Sequence, residues 1–432
     1  MRMRICATYG AVPEGPVPAD MQEVRLDVFP SVPEWADENT IVTAAGKDHI
    51  TLPEGFEGIV DVGDRDTFVP CRKIRSFHHF NGVPPSAFLM MEMGSGDQWL
   101  SKCACTVNSF RDLHTLYRVS KVIDRRHVIL GMGELGTVTR IRQDVLNNVF
   151  TFAYSGQPTA PGQLSVEEMN ELGDNPEIMG IIGHPLSHSK SPRMQNAAMR
   201  KAGIKGRYLV FDSPDLTDLP DVIREYRIRG LNVTIPYKQD VAPMMDVLEG
   251  PAKTIGAVNT IINDDGRLIG TNTDVAGIIH AFSKTGKELS EHSKVLIHGT
   301  GGAARAAVYA AMSQDCEVTV MGRTPEHVSS LCEEAGCEAF AGGSVSSFDA
   351  VINCTPIGMK EDSAYLFDIN DIRGSMTVLD MVYNRKTALV RAAEARGSKI
   401  AKGSDMLVGQ GAESFRLWFG KDPDIRTMED AL

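Results

Sequence analysis

The 432-residue chain has no surplus of basic residues: 44 Lys and Arg face 56 Asp and Glu, a formal charge of −12. That balance argues against a general nucleic-acid or anionic-membrane surface, since both need a positive field. No apolar run approaches the ~20 residues of a membrane-spanning helix. The opening Met-Arg-Met-Arg-Ile-Cys carries basic residues without the apolar stretch of a secretion signal, so a cytoplasmic protein is expected. Eight cysteines (Cys6, Cys71, Cys103, Cys105, Cys316, Cys332, Cys337, Cys354) form neither C-x-x-C pairs nor a spaced framework. Free thiols are therefore expected, and no metal site. Low-complexity tracts and internal repeats are also missing. What is present is ordinary globular composition, 42% hydrophobic and 23% charged, which excludes extensive disorder. At ~150 residues per domain the length allows roughly three domains.

The texture changes near 165–178. Before it lie eight short β-like runs, at 4–9, 22–28, 40–45, 58–62, 73–77, 98–106, 127–132 and 149–154. Helical spacing occurs only late in that half, at 112–123 and 137–147, with a final helix at 165–173. Eight strands in so few residues predict a shortened (β/α)8 barrel, with some helices cut down to loops. Asp174-Asn175-Pro176 reads as a linker. Strands expected at 178–183, 231–235, 294–298, 317–321, 349–353 and 377–380 then alternate with helical stretches, the pattern of a doubly wound α/β protein.

The sharpest local signal follows the strand at 294–298. Gly299-Thr300-Gly301-Gly302-Ala303 leads into an Ala-rich helix, so glycine turns and free helix N–H groups could hold a pyrophosphate. Such a loop also joins strands to helices with no ligand involved. The next strand ends in Gly322-Arg323-Thr324, where an arginine suits a ribose 2′-phosphate better than the acid that takes a 2′-hydroxyl, so NADP is favoured over NAD. The bland alternative for Arg323 is a solvated surface arginine.

Further clusters sit at strand ends: Ser187-His188-Ser189-Lys190-Ser191-Pro192, Asn232-Val233-Thr234-Ile235-Pro236-Tyr237-Lys238, Gly256-Ala257-Val258-Asn259-Thr260 and Thr271-Asn272-Thr273-Asp274. Hydroxyls and amides that both donate and accept, with one Lys and one Asp, suit a polyhydroxylated carboxylate. Taken singly, each is as well read as a cap or a turn.

In this order, together with Asn353–Met359, Asp380–Asn384 and Met406–Ala412, these residues resemble shikimate dehydrogenase over 178–432. The resemblance implies that Ser189, Ser191, Thr234, Asn259, Tyr383 and Gln410 hold substrate. It makes Lys238 and Asp274 the catalytic pair and places Gly403 and Met381 along the nicotinamide of a Rossmann-type NADP domain. His188 reads as structural, because the Lys–Asp pair already supplies the proton.

In the first half, Lys102 lies in an apolar strand between Leu100 and Cys103. It is either snorkelling outward or buried with a lowered pKa, the latter being the state suited to a Schiff base. His78 and His79 end the fifth strand, which in a barrel faces the active-site end, although a lone histidine there is as often structural. Arg25 and Arg140 add positive charge for a carboxylate and for lowering the pKa of a neighbouring lysine.

In order, Glu23-Val24-Arg25, Ser76-Phe77-His78-His79-Phe80, Lys102, Arg140 and Thr159-Ala160-Pro161-Gly162-Gln163 resemble type I 3-dehydroquinate dehydratase over about 1–165. That family implies an imine on Lys102 and proton removal by His78. Arg140, Gln163, Thr159, Arg25 and Thr8 would orient the substrate, with Glu23 beside them. The chain departs from the family at Thr43-Ala44-Ala45, where an arginine is usual and a nearby glutamate has no counterpart. It departs again at Gly63, where an acid is usual, and at His79, where an aspartate is usual.

The expected organisation is a dehydratase-like barrel at 1–167, a substrate-binding domain at 178–275 completed by about 405–432, and an NADP-binding domain at 276–404. The expected function is bifunctional: dehydration of 3-dehydroquinate to 3-dehydroshikimate, then reduction to shikimate with NADPH. Small molecules are the expected partners, and a homodimer is compatible with the sequence. The alternative is a working dehydrogenase fused to a degenerate barrel serving as scaffold or dimerisation module. A class I aldolase-like barrel rests on Lys102 alone.

Overall fold

The computed structural model describes residues 2–46, 50–65, 67–360 and 364–432. The chain forms two compact units, Met1–Pro185 with Lys205–Arg229, and Leu186–Ile204 with Gly230–Leu432.

The first unit is built on eight strands: β1 (Ile5–Tyr9), β2 (Met21–Arg25), β3 (Thr40–Thr43), β4 (Ile59–Asp61), β5 (Arg72–His79), β6 (Leu100–Thr106), β7 (His127–Met132) and β8 (Thr151–Ser155). All pair in parallel, in the order β7-β6-β5-β4-β3-β2-β1-β8. A side chain bridges the seam between the two end strands. Asn148 Nδ2 donates to the Ile129 carbonyl at 2.9 Å, and its Oδ1 accepts from the Ile129 N–H at 2.8 Å. This is the expected shortened barrel.

Alternation along each strand divides the interior into layers. Met21, Ile41, Ile59, Ile74, Leu100, Val128 and Phe150 form an apolar floor. Two residues further along, the same faces carry Glu23, Thr43, Asp61, Ser76 and Lys102. Register sets Thr8 beside Glu23, Thr43 beside Asp61, and Ser76 beside Lys102.

Helices follow only the later strands: Ser86–Gly94, Phe110–Val122, Thr137–Ile141 and Val166–Leu172. Among the described residues the four earlier connectors are loops, so the shortening falls between the first and fifth strands. Tyr9, Phe29 and Trp35, with ring centroids 5.9–6.3 Å apart, provide apolar packing in that helix-free region. The helix expected over 137–147 stops at Ile141. The chain then turns, Asn147 taking φ 55°, so that Asn148 can reach the seam. The helix expected at 165–173 forms as Val166–Leu172, started by a reciprocal Ser165–Glu168 capping box.

β9 (Glu177–Gly183) and β10 (Gly206–Asp212) pair in parallel within the same unit. The 174–176 segment is tied to the barrel, Asp174 Oδ1 accepting the Met3 N–H at 2.5 Å. The helix Leu219–Glu225 also meets the barrel. Tyr226 donates to the Leu113 carbonyl at 2.9 Å, and His114 Nδ1 lies 2.8 Å from Glu225.

In the second unit, β11 (Ile228–Val233), β13 (Thr260–Asp264) and β14 (Arg267–Thr271) run antiparallel, with β12 (Val247–Leu248) parallel to β14. The β13–β14 hairpin turns through Asp265 and Gly266, both at positive φ. Asp-Gly between two apolar runs is the sequence signal of this hairpin, which with β10 adds to the expected strands. The last sheet holds β15 (Lys294–His298), β16 (Glu317–Met321), β17 (Glu338–Ala339), β18 (Ala350–Asn353), β19 (Thr377–Asp380) and β20 (Lys399–Lys402). Its order, β17-β16-β15-β18-β19-β20, is the 3-2-1-4-5-6 arrangement of dinucleotide-binding sheets.

Candidate active sites

In the barrel, Lys102 points inward and is buried, 3.1 Å from Asp61 Oδ2 and 3.9 Å from Glu23 Oε1. Its ammonium lies 4.4 Å from the centre of the Phe152 ring. Both carboxylates are fixed from behind. Asp61 Oδ1 accepts from Ser76 at 2.6 Å and from the Gly63 N–H at 3.0 Å. Glu23 accepts from Thr43 at 2.8 Å and from Thr8. Burial pulls the Lys102 pKa down, but Asp61 and Glu23 outweigh it and raise the value above that of an ordinary lysine. This corrects the sequence expectation: the lysine is buried, not snorkelling, yet it rests as a paired ammonium rather than with a lowered pKa. Asp61 is shifted the opposite way. Burial opposes its charge, while Lys102, Ser76 and Gly63 more than compensate and lower its pKa.

His78 stands exposed at the open end of the strands, two residues past Ser76. The protein around it and the Lys102 charge lower its pKa, so the imidazole is neutral near pH 7. Arg25 does not help to depress Lys102, because its guanidinium is spent on Asp27 at 2.7 and 3.1 Å.

Arg140 is different. It is 2% exposed in the helix after β7, and its Nε meets no hydrogen-bond partner. Burial alone pulls its pKa down to about 10. A buried guanidinium without a carboxylate is costly, and an anionic ligand would relieve that cost. Gln163 organises the loop after β8: its Oε1 accepts from the Thr159 N–H, the Thr159 hydroxyl and the Ala160 N–H at 2.9–3.0 Å, leaving Nε2 as the donor. Thr43 and Asp61 were visible in the sequence but carried no assigned role. The period of two, continued through β3 and β4, puts both on the Glu23–Lys102 face.

In the second unit, Lys238 Nζ contacts Asp274 Oδ2 at 2.5 Å. Asn259 Nδ2 holds the other carboxylate oxygen at 2.8 Å, and the Asp274 N–H is taken by Asn272 at 3.1 Å. Local sequence explains the approach: the Lys238 carbonyl accepts the Val258 N–H at 2.7 Å, drawing the Lys238 turn onto the Asn259 strand end. The helix Asp274–Ser283 packs closely on Gly403–Phe419 because Gly277 and Gly409 face each other. A Cβ at 409 would lie 3.0 Å from the Gly277 Cα. That contact brings the Gln410 helix against the Asp274 helix. Tyr383 reaches the Lys190 backbone, so it stands beside the Ser189–Ser191 turn, and burial raises its pKa. Thr234 follows the end of β11, three residues before the buried Tyr237.

The glycine loop follows β15 and opens the helix Gly302–Met312. A Cβ at 302 would lie 3.1 Å from that of Lys238, so the loop runs directly beside the Lys238–Asp274 pair. Gly299 has φ 131° and faces Thr355 and Cys354, leaving no room for a side chain. Arg323 is exposed at the end of β16, followed by Thr324 at the start of a helix. Gly403 presses on the 380–381 backbone, where a Cβ would meet the Asp380 carbonyl at 2.6 Å, so Gly403 and Met381 adjoin. His188 is exposed. All eight cysteines are unpaired, and the described residues form no group of three or more His, Cys, Asp or Glu able to hold a metal. No helix among them is long and apolar enough to cross a membrane.

Comparison with known proteins finds family models along three stretches of the chain. The family model "Shikimate dehydrogenase substrate binding domain" matches 181–261, "Shikimate 5'-dehydrogenase C-terminal domain" matches 403–432, and "Type I 3-dehydroquinase" matches 61–175. The last takes in His78, Lys102, Arg140 and Gln163 but leaves out Thr8, Glu23 and Arg25. An NADP(+) shikimate dehydrogenase of Methanothermobacter thermautotrophicus is 40% identical over 271 residues, 59% of this chain and 95% of that protein. The shikimate dehydrogenase structure of Aquifex aeolicus is 31% identical with a TM-score of 0.57, covering 60% of this chain and 98% of that one. That of Thermus thermophilus, solved with NADP(H) and shikimate, is 36% identical with a TM-score of 0.56, covering 59% and 98%. The chain belongs to the shikimate dehydrogenase family through its second half and carries a type I 3-dehydroquinase barrel before it, a fusion of two enzymes.

Proposed function

We propose that the barrel converts 3-dehydroquinate to 3-dehydroshikimate and that the second half reduces that product to shikimate with NADPH. The observation that carries this reading is one lysine–carboxylate pair in each half, Lys102–Asp61 buried and Lys238–Asp274 part-buried. One family's product is the other's substrate, which supports a two-step enzyme over a dead scaffold. We assign 1–167 to the dehydratase, 178–275 with about 405–432 to substrate binding, and 276–404 to NADP. A cytoplasmic setting, small-molecule partners and a homodimer complete the reading.

In the dehydratase, Lys102 gives up a proton and its Nζ bonds to the ketone carbon, expelling the oxygen as water to leave an imine. The protonated imine is a better electron sink than the ketone. His78, held neutral, takes the adjacent C–H proton and returns it to the departing hydroxyl, so that a carbon–carbon double bond replaces C–H and C–O. Hydrolysis of the imine restores Lys102. Arg140 binds the substrate carboxylate, with Gln163 Nε2 and Thr159 on its hydroxyls.

In the dehydrogenase, the residues fit a dinucleotide: a glycine loop on a helix N-terminus, an exposed Arg323 for the 2′-phosphate, and Gly403 and Met381 beside the expected ring. NADPH, when bound, supplies the hydride for the ketone. Lys238 stabilises the developing oxyanion and protonates it, while Asp274, steadied by Asn259, keeps the ammonium aimed. Ser189, Ser191, Thr234, Tyr383 and Gln410 hold the carboxylate and hydroxyls.

The test is a single-pot assay with 3-dehydroquinate and NADPH. Oxidation of NADPH and formation of shikimate are expected. Reduction of added 3-dehydroshikimate but not of 3-dehydroquinate would restore the scaffold reading.

A further inference from the structure

Behind Asp274 lies a closed polar circuit whose hub is Ser414, a residue two positions beyond the Gln410 motif and fully buried. Its Oγ lies 2.8 Å from Asn232 Nδ2, 3.0 Å from Thr260 Oγ1, 3.1 Å from Thr273 Oγ1 and 3.0 Å from the Gln410 carbonyl. Asn259 Oδ1 accepts from the Thr273 N–H at 2.6 Å and from the Thr260 hydroxyl at 3.0 Å. Its amide therefore turns Nδ2 towards Asp274 at 2.8 Å and Thr273 at 3.1 Å.

One direction of protons satisfies every member. Asn259 donates to Asp274 and to Thr273, and Thr273 donates to Ser414. Ser414 donates to the Gln410 carbonyl. Asn232 donates to Ser414 and, at 3.1 Å, to Thr260, which donates to Asn259 Oδ1. Ser414 is the point where Asn232 and Thr273 both find an acceptor, and where the Gln410 helix meets the catalytic turn. Buried networks of this kind fix one orientation when complete and lose it when a single acceptor is removed.

We propose that Ser414 is a positioning residue for the dehydrogenase, holding Asn259 in the orientation that aims Asp274 at Lys238. This rests on Lys238 and Asp274 being the catalytic pair. Without the Ser414 oxygen, the Asn232 amide and the Thr273 hydroxyl lose an acceptor, Thr273 turns its proton to Asn259 Oδ1 at 3.2 Å, and the Asn259 amide keeps its sense but shifts against Asp274. Gln410 stays held by its own helix, so substrate affinity is spared.

The experiment measures kcat and KM for shikimate oxidation in Ser414→Ala, Asn259→Ala and the double variant, with Lys238→Ala as a separate arm. Ser414→Ala should lower kcat about tenfold with KM within about twofold, and the effect should vanish in the Asn259→Ala background, as coupled neighbours require. An unchanged kcat in Ser414→Ala, or an undiminished effect in the double variant, would overturn the proposal. Wild-type turnover in Lys238→Ala would instead remove the catalytic pair on which it rests.

Discussion

Each half of the molecule sets an ammonium against a carboxylate, and the proposed reactions treat its proton in opposite ways. Lys238 meets Asp274 one to one, with Asn259 steadying the carboxylate. That balance suits a group that must stay charged until it protonates an oxyanion. Lys102 faces two carboxylates, in a half that also buries Arg140, whose Nε meets no partner. This lysine must lose its proton to become a nucleophile, and both carboxylates stand where that proton can go. In the proposed mechanism the same residue pair serves as acid or nucleophile according to its surroundings.

The largest effects should come from breaking each pair in turn. Lys102→Ala should abolish dehydration, by about 10³-fold or more, and leave reduction of 3-dehydroshikimate intact; Lys238→Ala should do the converse, with little change in KM. Assaying both steps on both variants checks this. A loss of both activities in either variant would show that the halves do not work separately.

Arg140→Met should raise KM for 3-dehydroquinate by about 10²-fold while raising the melting temperature, because a buried charge without a partner is replaced by an apolar side chain. Thermal unfolding beside steady-state kinetics reads both signs. A lower melting temperature would mean that the guanidinium is satisfied within the protein.

Arg323→Ala should raise KM for NADPH by about tenfold or more and leave NADH unaffected. Equal effects on both cofactors would remove the 2′-phosphate contact.

The smallest effect is one of pH. His78 has a lowered pKa and acts as a neutral base, so the dehydratase should keep its rate as pH falls through the ordinary histidine value. Its acid limb should appear only below that value. A limb at or above pH ~6.5 would contradict the depressed histidine.

The two sites were legible to different depths for physical reasons. Lys238, Asn259 and Asp274 lie in short motifs at strand ends, where local sequence carries both the turn and the chemistry. The barrel site draws single residues from separate strands, so Thr43 and Asp61 gain meaning only once register sets them around Lys102. The charge state of Lys102 could not be read from its apolar neighbours in sequence, because the deciding carboxylates are 41 and 79 positions away. The helix expected at 137–147 failed for a similar reason. Its apolar spacing was real, but Asn148 is needed to bridge β7 and β8. Ser414 carried no signal at all, since a serine in a helix acquires a role only from the side chains packed against it.

The central claim is that Lys102 is the nucleophile of a working barrel. It is tested most directly by incubating the protein with 3-dehydroquinate and borohydride and mapping the modified residue by mass spectrometry. A substrate-dependent, irreversible adduct on Lys102 is expected, absent from Lys102→Ala. No adduct, or one on another lysine, would contradict it.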